Sequence, residues 1–151
     1  MKIYETKLQY SLVKESAVST PLDMASKVYQ YMEGAFDNNP MQESFWVISL
    51  TRKNHPISRT MVSLGSISSA IVSPPDIFRI AILANAAAIA VAHNHPSGDP
   101  APSRADISIT RKLRECGSLM NITLIDHIIC GDSQSDPQRK GFYSFSEAGL
   151  L

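Results

Sequence analysis

A chain of 151 residues is long enough for one domain with a real core and too short for two ordinary ones. Hydrophobic residues make up 44% and charged residues 19%, which excludes a disordered chain and fits a globular one. Fourteen Lys+Arg balance fourteen Asp+Glu, and this argues against a protein whose main task is to hold a phosphate backbone, because such binding rests on clustered basic charge.

The opening stretch, "MKIYETKLQYSLVKE", has no apolar core of signal-peptide length. Residues 2–14 alternate loosely, as a first strand would. Thr20 as cap and Pro21 at the first helical position open a helix over 19–34, with Gly34 as its stop. Leu22, Ala25, Val28, Tyr29 and Met32 share one face of it. "ESFWVISL" (43–50) reads as a buried strand. "RKNHPI" turns the chain, with His55 a solvated turn residue, and "SRTMVSL" returns as a second strand.

A helix over 73–87 follows, apolar nearly all round and therefore expected to be buried. The apolar stretch 77–92 is interrupted by Arg79 and Asn85 and falls short of a membrane span. "AIAVA" (88–92) runs as a central strand straight into His93. Ser103 to Gly117 forms a helix with Ala105, Ile109, Leu113 and Cys116 on one side, and its basic stretch "TRKLRE" (110–115) reads as a solvated face. Residues 121–131 and 142–145 are strands joined by a polar loop. Cys116 and Cys130 form neither a CxxC pair nor a disulfide framework, so the simplest compartment is the reducing cytoplasm. The interleaving of helices and strands predicts a single α/β domain over 1–151, layered, with a mixed β-sheet flanked by helices.

The chemistry concentrates in "HNHPSGDPAPSRAD" (93–106). Leaving the end of a strand, His93 and His95 point to the same face, because strand periodicity is two. Asp106, three residues beyond Ser103, returns a carboxylate to them once the Pro/Gly loop folds back. Two histidines and one carboxylate are a three-ligand set that leaves zinc an open fourth position for a water, which the ion makes nucleophilic. Ser103-x-x-Asp106 is equally a helix-capping pattern, and the two readings are compatible. Other templates fail: a zinc deaminase needs H-x-E and P-C-x-x-C, an amidohydrolase barrel needs ~250 residues, and the spelling "HNH" does not make a nuclease of that name.

His-x-His, seven residues, Ser, two residues, Asp matches the JAMM motif of the JAB/MPN zinc metalloproteases without a gap. "ILANAAAIAVAHNHPSGDPAPSRADISITRKL" with "ITLIDHIICG" resembles the RadC-like branch of that superfamily, over about 43–151. The resemblance implies a cytidine-deaminase-like layered fold, one zinc per chain held by His93, His95 and Asp106, and Ser103 hydrogen-bonding the zinc-bound water or the oxyanion. It also implies an upstream glutamate as general base and acid. Glu43 stands at the matching place, with Glu33 as the fallback. Residues 1–35 are too short and too neutral for the helix-hairpin-helix DNA-binding region that many RadC proteins carry in front.

The expected function is a zinc-dependent metallohydrolase acting on an amide or isopeptide bond of a peptide or protein, with no membrane partner and with nucleic acid unsupported by net charge. The alternative is a DNA-repair or mobile-element accessory protein with a structural or vestigial zinc. Asp126 and His127, adjacent in a strand, point to opposite faces, one with Leu124 and Ile128 and the other with Ile125 and Ile129. Each is read as a buried polar group with a partner, or as support for a ligating histidine. Asn94 points away from the histidines and ties the loop down, and Asp99 lines the cleft. An exposed sheet edge leaves pairing with a second copy open.

Overall fold

The computed structural model describes residues 1, 20–65 and 72–151. The strand expected over 2–14 lies outside them. In chain order the elements are α1 (Ala25–Tyr31), β1 (Ser44–Leu50), β2 (Pro56–Leu64), α2 (Pro74–Leu83), β3 (Ala88–Asn94), α3 (Arg104–Met120), β4 (Thr123–Cys130) and β5 (Phe142–Ser144). The strands form one mixed sheet in the order β2-β1-β3-β4-β5. Only β3 and β4 run parallel, joined by α3 as their crossover; the other neighbours are antiparallel.

β3 is central and buried along its whole length. Its alternation builds two different cores. Ile89 and Val91 join Phe45, Val47, Ile77, Phe78, Ile109 and Leu113 beneath α2 and α3. Ala88, Ala90 and Ala92 join Leu22, Val28, Met32 and Ile48 beneath α1, and their small side chains let that helix lie close. Each fully buried Leu, Ile or Phe adds about 1.5–3 kcal/mol, so both faces are held firmly. His93 continues the α3-side row of β3, which carries it into the protein interior at the strand's carboxyl end.

Four sequence expectations shift. The first helix starts at Ala25 rather than near Thr20: Pro21 lies in an extended lead-in, and the Leu22 amide is bonded to the Asn54 carbonyl 2.8 Å away, so tertiary anchoring overrides the cap signal. α2 is one-sided; Ile77, Phe78 and Ala81 are buried, whereas Ile82 and Leu83 are 59% and 42% exposed. The inner face of α3 is turned towards Asp106, Thr110 and Gly117, with Ala105 and Cys116 at its margin. Finally, the β3–β4 register skips Ile125. Leu124 therefore joins the core on the His127 side, while Ile125 packs with Ile128, the reverse of strict alternation. Among the described residues no helix is long and apolar enough to cross a membrane.

Candidate metal centre

His95 follows β3, yet its amide donates to the Cys130 carbonyl at 2.9 Å, extending the β3–β4 ladder by one residue. Period two therefore still holds, and His95 emerges on the face of His93. A tight turn follows at once, with the Gly98 amide on the His95 carbonyl and Gly98 at φ +84°, a conformation suited to glycine. The Asp132 amide in turn donates to the Gly98 carbonyl at 2.8 Å. A side chain at Gly131 would collide with that same carbonyl oxygen, which explains a glycine directly after β4.

The three predicted ligand residues come together. Nε2 of His93 lies 3.1 Å from Nε2 of His95. Asp106 brings Oδ1 to 3.2 Å from the first and Oδ2 to 3.6 Å from the second. One ligand atom from each residue falls within 4.8 Å of the others, the only such group among the described residues. His95 Nδ1 faces the Asp99 main-chain oxygen at 2.8 Å. That oxygen only accepts, so Nδ1 carries the hydrogen and Nε2 offers its lone pair to the centre. Ser103 and Asp106 form a complete capping box: the Asp106 amide donates to Ser103 Oγ at 3.2 Å, and the Ser103 amide donates to Asp106 Oδ2 at 2.7 Å. The Ser103 hydroxyl donates to the same Oδ2 at 2.6 Å. Capping thus engages Oδ2, which also faces His95, and leaves Oδ1 turned to His93.

The electrostatics match this picture. Burial acts to raise the Asp106 carboxyl, but its contacts with His93, His95 and Ser103 outweigh burial and hold it far below the usual carboxylate range. Burial also acts against a charged His95, yet Asp106 and the Asp99 carbonyl raise its net value. His93 is lowered, mainly by burial. A carboxylate and a bare imidazole nitrogen facing one another require a cation between them: a proton on His95 or a metal ion. The donor types, two imidazoles and one carboxylate, fit zinc with one position left over. Cys130 is no thiolate candidate, because its side chain packs in the core beneath α1 on the opposite face, where burial pushes its thiol up to about 12.

Glu43 is half-buried and immediately precedes β1, whose Phe45 pairs with His93. Its charge acts on both imidazoles, favouring their protonated forms. The Asn94 side chain clamps the residues on either side of it: Oδ1 accepts from the Ser44 amide at 2.8 Å, and Nδ2 donates to the Gln42 carbonyl at 3.0 Å. Glu33 instead lies exposed in the turn after α1, where its carbonyl accepts from Arg59. Asp99 contributes its main chain, its own carboxylate being turned to the Ala101 amide. His55 is half-buried in the β1–β2 turn. His127 lies directly behind His93, with 2.9 Å between ring nitrogens. Sequence reasoning passed over Thr110, whose hydroxyl touches His127; a polar residue on the buried stripe of α3, one turn after Asp106, was the available signal.

Comparison with known proteins agrees with this geometry. The family model described as RadC-like JAB domain matches residues 22–150. A UPF0758 protein of Geobacter sulfurreducens is 44% identical over 125 residues, covering 83% of this chain and 51% of the relative. A UPF0758 protein of Clostridium perfringens is 41% identical over 145 residues, covering 96% and 59%. A third, of Geobacillus thermodenitrificans, is 45% identical over 110 residues, covering 73% and 46%. The chain thus spans about half the length of the curated relatives it matches, and their names state no activity. With a five-stranded mixed sheet of JAB/MPN type and a buried His-His-Asp group that can hold a metal ion, the chain belongs to the RadC-like JAB family.

Proposed function

We propose that the protein is a zinc-dependent hydrolase, with one zinc per chain held by His93, His95 and Asp106, that cleaves an amide or isopeptide bond in a peptide or protein. The observation that carries this reading is the convergence of three ligand groups around a centre that stays open on one side, where the His95 side chain is 14% exposed. A structural zinc site is closed by four protein ligands, whereas a catalytic one keeps a position free.

When bound, zinc would supply a Lewis acid for the scissile carbonyl and a water acidified towards neutral pH. The chain supplies the rest. Glu43 takes a proton from the attacking water and delivers it to the leaving amine. Asn94 fixes the backbone from which Glu43 reaches, so the carboxylate starts from a set place. Ser103 turns its hydroxyl from Asp106 Oδ2 towards the developing oxyanion. The capping amide bonds keep α3 and Asp106 in place while it does so. Burial of His93 and Asp106 excludes water from the ligand side, so among the described residues the approach for substrate passes the partly exposed His95 and Glu43.

Metal content of the purified chain, measured by mass spectrometry beside Asp106→Ala, tests the first half. About one zinc per chain is expected in the wild type and none in the variant. A folded wild type that stays empty when zinc is supplied would overturn the reading. Glu43→Gln tests the second half in a peptidase screen: it should keep the metal and lose hydrolysis. Loss of metal there would make Glu43 a ligand instead.

A further inference from the structure

The hydrogen bonds behind His93 return to the metal centre. His93 Nδ1 lies 2.9 Å from His127 Nε2. His127 Nδ1 lies 2.6 Å from the Thr110 hydroxyl, and that hydroxyl lies 2.6 Å from the main-chain oxygen of Asp106 one helical turn earlier. The path leaves one ligand residue, crosses β4 and α3, and ends on the backbone of another. His93, His127, Thr110 and Asp106 are all buried, so each polar atom must be satisfied within the protein.

Counting donors fixes each proton along the path. A carbonyl oxygen only accepts, and a hydroxyl has a single hydrogen. Thr110 gives that hydrogen to Asp106 and offers His127 only a lone pair, so His127 Nδ1 is a donor. His127 is fully buried and stacked on Phe145 at 4.8 Å, surroundings that keep the ring neutral, with one N–H. Its Nε2 is therefore an acceptor, and the hydrogen in the 2.9 Å contact belongs to His93 Nδ1. His93 is fully buried as well, which keeps its ring neutral in the same way, so what remains on it is a bare Nε2, the atom that faces Asp106 Oδ1 and His95 Nε2.

We propose that Thr110 and His127 are positioning residues of the metal centre, holding His93 in the tautomer whose Nε2 can ligate. The consequence for zinc rests on the function proposed above; the proton placement does not, because it belongs to the metal-free chain. Turning either ring over would put a carbon where nitrogen now makes the 2.9 Å contact, and tilting it would break its stacking. His93 lies nearly parallel to Phe45, 13° apart, and His127 to Phe145, 9° apart. Loss of the hydroxyl can therefore be relieved only by moving protons. The His127 hydrogen shifts to Nε2 and meets His93 Nδ1, which drives the His93 hydrogen to Nε2 and blocks the ligand atom.

The test uses the isotope-labelled, metal-free chain and long-range proton–nitrogen correlation spectra of its imidazoles, together with zinc affinity by competition with a chromophoric chelator. In the wild type both His93 and His127 should carry hydrogen on Nδ1. Thr110→Val should move it to Nε2 on both rings and weaken zinc binding about 10–100-fold, and Thr110→Ser should restore both readouts. A role in packing alone would leave the tautomers unchanged. Wild-type His93 with its hydrogen on Nε2 overturns the proposal without needing any variant to fold. Thr110→Val with wild-type tautomers also overturns it. The stated tautomers in a chain that binds no zinc would support the relay and remove the zinc reading.

Discussion

Two buried aspartates lie on opposite faces of the sheet, and their surroundings differ in kind. Asp126, on the α1 side, is surrounded by donors: the His127 and Ser146 amides reach Oδ1 at 2.7 and 3.0 Å, and the Ser144 hydroxyl reaches Oδ2 at 2.6 Å. Asp106, on the α3 side, has its amide and hydroxyl donors at Oδ2 alone, while Oδ1 faces a ring nitrogen of His93 and Oδ2 also looks towards His95. A carboxylate closed by protein donors holds the structure together. One left facing other electron-rich atoms is arranged for a cation. Burial, which both share, does not distinguish structure from site; the count of donors does.

Removing each carboxylate sharpens that contrast. Asp106→Ala should weaken zinc binding by more than the about 100-fold expected for loss of a residue outside the ligand set, as measured by chelator competition. Asp126→Ala should leave zinc binding unchanged and cost about 2 kcal/mol in denaturant unfolding, since it orphans buried donors. A loss of zinc in Asp126→Ala would break the distinction. Ser103→Ala should cost about 1 kcal/mol through its cap and retain the metal, because the Asp106 Oδ1 contact does not depend on the serine.

Acid titration gives a smaller effect of opposite sign at the two positions. Asp106 is held below the ordinary value of 3.8, so its contribution to stability is present above 3.8 and is lost as pH falls towards its folded value. Asp126 is raised, chiefly by burial, so its contribution is present below 3.8 and is lost as pH climbs through its folded value. In the metal-free chain, Asp106→Asn should therefore gain on the wild type as pH falls below 3.8. Asp126→Asn should gain as pH rises above it. Denaturant midpoints across that range check both, and slopes of the same sign would mean that the two carboxylates are not differently solvated.

Local patterns made the strands legible, and with them the His93, His95 and Asp106 group that could hold a metal ion. "AIAVAHNH" states its own alternation, and β3 with its one-residue extension keeps it, so His93 and His95 share a face. Ser103-x-x-Asp106 announced a helix start, and the capping box is there in full. Where a long-range contact competed with a local signal, the local signal lost. Thr20 and Pro21 carry a good cap motif, yet the Leu22 amide bonds to the β1–β2 turn and the helix begins later. The side of β4 that Leu124 and Ile125 take depends on a register skip that no single strand encodes. The apolar surround of α2 did not bury it, because only one of its faces meets the sheet.

By itself, the sequence determined the donor types of the candidate metal group, their spacing and the Pro/Gly loop that returns Asp106 to the histidines, because each is set by local backbone geometry within fourteen consecutive residues (93–106). Tertiary structure alone decided the rest: which nitrogen of His93 faces the centre, that Thr110 and His127 stand behind it, and that Asn94 clamps the residues flanking Glu43. These depend on contacts between residues 17 to 52 positions apart, set by the order and register of the sheet. Proton placement in particular follows from which acceptors meet which donors in the folded interior, and that is a property of the packing rather than of any segment.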